Sequence, residues 1–258
     1  MKTILSDISG LLLDLDGVVY IGERVIEGAP EAVRYFKQKN ITCRFTTNTT
    51  VRSVASLHRK LKNFNLPVEN EEIFSAVKAA VRFLHQMGRP SCYLLLTKDP
   101  AGDFAAFPVS ETEPEYVIIG DVGKYWNYEL VNKVFHMVLN GAKMIALHKG
   151  RFWQTEQGLQ VDMGAFVTAL EYATGQKALV IGKPSPVFFQ QVLEDMGLKP
   201  AQTAMVGDDI ESDIGGAQGA GMKGILVKTG KYRPELVKNS KIKPDLVIDS
   251  LADLVDYL

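Results

Sequence analysis

The feature that most constrains the fold of this 258-residue chain is an apolar run that ends in two carboxylates. The run begins at Ile8 and continues as Leu11-Leu12-Leu13-Asp14-Leu15-Asp16-Gly17, which has the length and composition of a buried strand. An unpaired buried carboxylate is strongly destabilising, so Asp14 and Asp16 do not suit a strand interior. At the carboxyl end of a parallel strand they would reach the crevice where open α/β sheets bind ligands. An exposed acidic turn that caps the strand remains the alternative.

Strand and helix patterns alternate on both sides of a middle region with a different character. A helix is predicted over 28–39, a strand over 41–46 and a helix over 53–63, an order typical of a doubly wound parallel sheet. A second αβ pattern starts near Met87, and the first pattern resumes with a strand predicted at 178–181. We therefore predict an α/β protein with a Rossmann-like core at residues 1–79 and 179–258 and an inserted α/β domain at 80–178.

Charge and hydropathy exclude several classes of function. The chain has 29 basic and 30 acidic residues and a net charge of −1, which argues against nucleic acid as a partner. No apolar run approaches the roughly 18 residues of a membrane span. Cys43 and Cys92 form no CxxC pair and are expected to be reduced, and the first residues lack the features of a signal peptide. These features predict a cytoplasmic location without membrane contact.

Polar residues follow four strands of the predicted core. They are Asp14 with Asp16, Thr47 with Asn48, Lys183 in Gly182-Lys183-Pro184, and Asp208 and Asp209 with Asp213. Because the carboxyl ends of parallel strands lie along one edge, these groups are expected to converge in one crevice. Acids, a hydroxyl and a lysine suit phosphoryl transfer, which needs a cation, hydrogen-bond donors and a positioned nucleophile. Taken singly, Lys183 could be solvated, and Thr47 or the two acids could simply cap helices.

These motifs resemble those of the haloacid dehalogenase superfamily of phosphohydrolases. The segment Asp14-Leu15-Asp16-Gly17-Val18 matches the DxDG[TV] first motif, and Thr47-Asn48 matches the second. Lys183 matches the third motif, and Gly207-Asp208-Asp209 through Asp213 matches the fourth. The insertion between the second and third motifs resembles the C2 cap of the type IIA subfamily. That subfamily includes para-nitrophenyl phosphatase-like and pyridoxal phosphate phosphatase-like proteins, and the chain looks closest to the haloacid dehalogenase-like hydrolase domain-containing proteins.

The resemblance implies a Mg²⁺-dependent phosphatase that acts on a small phosphomonoester. Asp14 would form an aspartyl-phosphate, and Asp16 would protonate the leaving group and then activate water. Thr47 and the backbone near Asn48 would bind phosphoryl oxygens, and Lys183 would stabilise the charge of nucleophile and phosphate.

The resemblance also implies a ligand set for Mg²⁺. The Asp14 carboxylate, the Asp16 backbone carbonyl and Asp208 would hold the ion. Asp213 is expected to orient Lys183 or a metal-bound water. Asp209 departs from the pattern, and a helix-capping role suits it as well.

Three alternative functions fit part of this pattern. Haloacid dehalogenation is disfavoured because a leaving halide needs no general acid such as Asp16. A receiver-like module, or a phosphate-binding protein without turnover, would use similar groups, but receivers do not need a long insertion.

The expected partner is a small phosphorylated metabolite, and a homodimer is possible. The loop from His148 to Trp153 is either a surface hairpin or a selector of the leaving group.

Overall fold

The computed structural model describes residues 5–155 and 158–258 and has an α/β fold with parallel sheets, as the sequence predicts. The strands are β1 (Gly10–Asp14), β2 (Tyr20–Ile21), β3 (Arg24–Val25), β4 (Thr42–Thr47), β5 (Ile73–Ser75), β6 (Cys92–Leu95), β7 (Tyr116–Ile119), β8 (Lys143–Ala146), β9 (Phe152–Thr155), β10 (Gly158–Val161), β11 (Leu179–Val180), β12 (Thr203–Gly207), β13 (Lys223–Val227) and β14 (Leu246–Ile248). The α-helices are α1 (Ala29–Gln38), α2 (Val54–Asn63), α3 (Ala76–Gln86), α4 (Lys98–Ala101), α5 (Tyr128–Leu139), α6 (Gly164–Thr174), α7 (Pro186–Met196), α8 (Gly216–Gly219) and α9 (Pro234–Asn239). A π-helix covers Ile210–Gly215.

The first sheet has six strands in the order β14-β13-β12-β1-β4-β5. Strand β1 lies inside it, and both β4 and β12 run parallel to it. All five residues of β1 are buried, which explains its uninterrupted apolar sequence. Asp14, its last residue, pairs in register with Thr46 of β4. The carboxyl ends of β12, β1 and β4 therefore meet at one edge.

Helices with one apolar face cover this sheet. Helix α1 starts at a Gly-Ala-Pro sequence, with proline in the first turn, and buries Val33 and Phe36. Helix α7 buries Phe188 and Phe189, and Phe188 packs edge-on against Phe74 of β5 with 5.5 Å between ring centroids. Each fully buried phenylalanine contributes about 1.5–3 kcal/mol to stability.

The second sheet has four parallel strands in the order β11-β8-β7-β6. It corrects one sequence expectation, because the strand predicted at 178–181 as the return to the core pairs instead with β8. The strand is only two residues long, and Leu179 is 36% exposed, so its sequence does not determine which sheet it joins. Lys183 consequently follows a strand of the second sheet.

The chain divides into two compact units. The first contains residues up to Thr47, Leu57–Phe74 and Lys183–Leu258, and the second contains Asn48–Ser56 and Ser75–Gly182. Relative to the predicted ranges, residues 48–56, 75–79 and 179–182 therefore group with the second unit.

Hydrogen bonds explain why residues 48–56 belong to the second unit. Asp99 accepts from the backbone nitrogen and the hydroxyl of Ser53, both at 2.9 Å. Asp103 accepts from the Val54 nitrogen at 3.0 Å. Both carboxylates stabilise the start of α2, as acids do at a helix N-terminus.

Candidate active site

Asp14 stands at the end of β1 and is paired with a buried lysine. The Nζ of Lys183 lies 2.6 Å from Asp14 Oδ1, and the Lys183 residue is 3% exposed. The two residues are 169 positions apart in the sequence. The convergence predicted for Asp14 and Lys183 is therefore observed, although Lys183 arrives from a strand of the second sheet.

A second carboxylate completes the surroundings of Lys183. Its Nζ lies 2.7 Å from Asp213 Oδ1, and Asp213 is 1% exposed. Burial alone would lower the pKa of Lys183, but the charges and hydrogen bonds of Asp14 and Asp213 outweigh it, so the pKa is raised. The ammonium therefore stays charged between two buried carboxylates.

Asp208 directly follows β12, and its surroundings disfavour the ionised form of its carboxyl group. Burial, together with the nearby charges of Asp14 and Asp213, raises its pKa to about 8. Its Oδ2 accepts a hydrogen bond from the backbone nitrogen of Lys231 at 2.6 Å. Its Oδ1 is buried and has no hydrogen-bond partner among the described residues. A buried oxygen of this kind is costly unless a further group satisfies it.

The carboxylate oxygens of this cluster fit a hard divalent cation. Asp14, Asp208 and Asp213 each offer one oxygen, and these atoms lie within 4.8 Å of one another. An all-oxygen donor set suits Mg²⁺. Asp14 and Asp213 each also contact Lys183, whereas Asp208 Oδ1 has no hydrogen-bond partner among the described residues, so Asp208 is the carboxylate with an oxygen left over for such an ion.

Asp16 lies just beyond β1 and is exposed. Desolvation by the surrounding protein raises its pKa, and the charges of Lys231 and Lys60 only partly oppose this. The peptide after it is fixed, because the Gly17 nitrogen donates to the Tyr20 carbonyl at 2.7 Å. Gly17 has φ +94°, a backbone conformation that L-residues rarely adopt.

Asp209 caps the helical segment that carries Asp213. Its Oδ1 accepts from the backbone nitrogens of Glu211 and Ser212, both at 3.0 Å. Desolvation raises its pKa, but Lys231 and these hydrogen bonds lower it by more, so the net pKa is lowered. The structure thus shows the capping role that the sequence left open for Asp209.

The residues of the predicted second motif fall in different units. Thr47 is the last residue of β4 and is 4% exposed, next along the sheet edge to Asp14. Asn48 begins the segment that groups with the second unit, where its Oδ1 lies so close to Gly182 that a Cβ there would be 2.6 Å away.

Sequence reasoning missed one segment of the site, Thr229-Gly230-Lys231. It follows β13, the neighbour of β12, and it contacts both Gly17 and Asp208. The Nζ of Lys231 is 3.7 Å from Asp209 Oδ2. The signal was present in the sequence, because Lys228-Thr229-Gly230-Lys231 follows an apolar strand, like the four polar strand ends that were recognised.

His148 follows β8 in the second unit. Its Nδ1 accepts from the Gly150 backbone nitrogen at 3.1 Å and lies 3.8 Å from Asp162 Oδ2. The loop does lead into a hairpin, β9–β10. The side chain of Trp153 lies outside the described residues.

The fold and the site place the chain in a class of α/β proteins that carry an aspartate, a lysine and further acids at the carboxyl ends of a parallel sheet. Two family profiles match the chain: haloacid dehalogenase-like hydrolase over residues 11–106, and HAD-hydrolase-like over residues 180–254.

Full-length relatives agree with these profiles. Human haloacid dehalogenase-like hydrolase domain-containing protein 2 is 38% identical over 253 residues, covering 97% of this chain and 96% of the relative. Human phospholysine phosphohistidine inorganic pyrophosphate phosphatase is 38% identical over 261 residues, covering 98% and 95%. The chain belongs to the haloacid dehalogenase-like hydrolase family and is an enzyme of its phosphatase type.

Solved structures show the same fold. The 4-nitrophenylphosphatase of Thermotoga maritima matches with a TM-score of 0.92 and 30% identity, covering 98% of both chains. The p-nitrophenyl phosphatase of Archaeoglobus fulgidus matches with a TM-score of 0.93 and 29% identity, covering 98% of this chain and 100% of the other. These relatives do not favour the receiver-like alternative. Across residues 5–155 and 158–258, no helix combines the length and apolar character needed to cross a bilayer.

Proposed function

We propose that this protein hydrolyses a small phosphomonoester with the help of Mg²⁺ and through a phosphoryl group carried on Asp14. The observation that carries the proposal is the pairing of the Asp14 carboxylate with the buried ammonium of Lys183 at 2.6 Å, beside Asp208 Oδ1, which has no hydrogen-bond partner among the described residues. A positioned nucleophile, a fixed cation and an oxygen-lined cation site are the parts that phosphoryl transfer requires.

Asp14 is the proposed nucleophile. A carboxylate oxygen of Asp14 attacks phosphorus, and the bond from phosphorus to the leaving oxygen breaks. Lys183 faces the attacking group and stabilises the charge on nucleophile and phosphoryl oxygens, and Asp213 holds Lys183 in place at 2.7 Å. Thr47, at the neighbouring strand end, is proposed to donate to a phosphoryl oxygen.

Asp16 is the proposed acid and base. In the first half-reaction it gives its proton to the leaving oxygen. In the second it takes a proton from the water that attacks phosphorus, which releases phosphate and restores Asp14. The raised pKa of Asp16 supports this assignment, because it increases the protonated fraction near neutral pH.

Mg²⁺ would be held by Asp14, Asp208 and the backbone carbonyl of Asp16. When bound, it would neutralise phosphate charge and that of the surrounding carboxylates. Two observations support the part of Asp208 in this set: it directly follows β12, and no residue in the described ranges 5–155 and 158–258 forms a hydrogen bond with its Oδ1.

The relatives suggest which phosphorylated compounds to test first. Their names include 4-nitrophenylphosphatase and phospholysine phosphohistidine inorganic pyrophosphate phosphatase. We propose small phosphorylated molecules of these kinds as substrates, with Asn48 and the loop from His148 to Trp153 as candidate contributors to selectivity.

The test is hydrolysis of 4-nitrophenyl phosphate, pyrophosphate, phospholysine and phosphohistidine, with Mg²⁺ or with a chelator. We expect metal-dependent turnover that falls by about 10³-fold or more in Asp14→Asn, a loss typical of a nucleophile. The same exchange at the exposed Asp256 serves as the control and should leave turnover intact.

Covalent transfer is tested separately with Asp16→Asn. With 4-nitrophenyl phosphate, whose leaving group does not need the proton of Asp16, this variant should accumulate a phosphate adduct on the peptide that contains Asp14, visible by mass spectrometry after acid quench, because the water in the second half-reaction has lost its base. Undiminished hydrolysis by Asp14→Asn, or an adduct on another residue, would overturn the mechanism.

A further inference from the structure

The segment Thr229-Gly230-Lys231 contacts the candidate cation site at three adjacent positions. The Thr229 hydroxyl donates to the Gly17 carbonyl. The Lys231 backbone nitrogen donates to Asp208 Oδ2 at 2.6 Å. Between them, Gly230 lies directly against Asp208. We call these three residues the Asp208 clamp.

Gly230 is the point of closest approach. A Cβ on Gly230 would overlap Asp208 Oδ2 and would stand 2.6 Å from the Cα of Gly17. A Cβ on Gly17 would likewise overlap Asp208 Oδ2. Only residues without a side chain let the two backbone segments enclose this carboxylate. The φ of Gly230, +58°, also favours glycine.

The clamp gives the two carboxylate oxygens of Asp208 different surroundings. Oδ2 accepts from the Lys231 amide and packs against two glycines, so rotation of the carboxylate is restricted. Oδ1 is left buried and without a hydrogen-bond partner in the part of the chain that is described. A ligand oxygen fixed in advance needs no reordering when a cation binds, which increases affinity.

We propose that Thr229 and Gly230 are positioning residues that hold Asp208 so that Oδ1 faces the divalent cation. Thr229 acts through Gly17, whose carbonyl it binds, and Gly230 acts by leaving room for the carboxylate. The Lys231 contribution comes from its backbone amide. The inference rests on the proposed function for the presence of the cation, and it adds residues outside the four motifs.

The test measures Mg²⁺ affinity by calorimetry and by the Mg²⁺-dependent rise in Tm, so that it does not depend on turnover. Gly230→Ala should weaken Mg²⁺ binding by about tenfold or more, because the new methyl group displaces Asp208. Its matched control is Gly197→Ala, at φ +65°, where a Cβ would meet nothing within 4 Å. Both variants introduce the same kind of backbone strain, but only Gly230→Ala should change Mg²⁺ affinity.

A second pair keeps the proposal testable if Gly230→Ala does not fold. Thr229→Val removes the hydroxyl at nearly constant volume and should weaken Mg²⁺ binding several-fold, and Thr229→Ser should restore it. Wild-type Mg²⁺ affinity in folded Gly230→Ala or in Thr229→Val would overturn the clamp while leaving the proposed function standing. Absence of Mg²⁺ binding by the wild-type protein would overturn both.

Discussion

The two parallel sheets of this protein differ in the side chains that surround the carboxyl ends of their strands. At the carboxyl ends of β1, β12 and β13, glycines make room for carboxylates, since a Cβ on Gly17, Gly207 or Gly230 would overlap Asp208 or Asp213. In the second sheet, the glycine after β7 makes room for apolar and hydroxyl side chains. A Cβ on Gly120 would lie 2.6 Å from Leu96 and 3.2 Å from Thr50. The carboxyl edge of the first sheet therefore contains buried carboxylates, whereas apolar and hydroxyl side chains occupy the space beside Gly120 in the second sheet.

Buried carboxylates differ between the two units in the same way. Glu171 in the second unit accepts from Lys149 at 2.7 Å, from Lys177 at 3.2 Å and from the Ala178 nitrogen at 3.1 Å. Burial raises its pKa, but these partners outweigh burial and the net pKa is lowered. Asp208 has the opposite shift, to about 8. A structural carboxylate is fully partnered, whereas a carboxylate with an unmatched charge marks a site for a further ligand.

The largest expected effect is a difference in stability between variants of the buried Lys183 and of the exposed Lys177. Lys183→Met leaves Asp14 and Asp213 without their buried ammonium, so we expect a loss of about 3–5 kcal/mol in unfolding free energy near pH 8. Lys177→Met removes a partner of Glu171 that is 85% exposed, and should cost about 0–1 kcal/mol. Urea denaturation of both variants measures this. Equal losses would mean that the buried charges of the two units are compensated alike.

The next prediction compares two isosteric substitutions that should change stability in opposite directions. Glu171→Gln should lower stability by about 1–3 kcal/mol at pH 7, because it weakens three hydrogen bonds. Since the native pKa of Glu171 lies below its ordinary 4.5, this difference is present above pH 4.5 and is lost as the pH falls through the native pKa. Metal-free Asp208→Asn should instead raise Tm by about 2–4 °C at pH 7, because the native pKa of Asp208, about 8, lies above the ordinary 3.8 and folding at pH 7 requires this carboxyl to take up a proton; the gain is absent below pH 3.8. Thermal melts of both variants between pH 3 and 8 measure these differences. A fall in Tm for both variants at pH 7 would contradict the contrast between Glu171 and Asp208.

The smallest effect tests the proposed contribution of the loop from His148 to Trp153 to selectivity. His148→Asn should change relative rates among the compounds of the test panel by a few-fold, with little change in stability. An equal reduction for every compound would instead support a surface hairpin. Steady-state kinetics on the panel distinguishes the two, with exposed His136, at the end of α5, mutated as the control.

Sequence reasoning predicted the meeting of Asp14, Lys183 and Asp208 because each follows an apolar strand and parallel strands share an edge. It assigned Lys183 to the wrong sheet, since a two-residue strand carries no sign of its neighbour. It also missed β5, which is three residues long. The membership of residues 48–56 depends on Asp99 and Asp103, more than forty positions away, and local patterns do not report such contacts.

The clamp shows a second limit of the sequence. Gly230 resembles any turn glycine until its distance to Asp208 is known, and Thr229 and Lys231 resemble solvated polar residues. Patterns of residue type find side chains that do chemistry, but they do not find backbone groups that hold those side chains.

The π-helix Ile210–Gly215 has a consequence for how this gene can change in length. Asp209 O accepts from both the Asp213 nitrogen, four residues on, and the Ile214 nitrogen, five residues on, so the turn is one residue wider than an α-helix. Deleting one residue between Asp209 and Asp213 would narrow this turn to that of an α-helix and leave the downstream residues in place, whereas inserting one would rotate them by about 100° and carry Asp213 away from Lys183. Single deletions and substitutions in this segment are therefore more easily accepted than insertions.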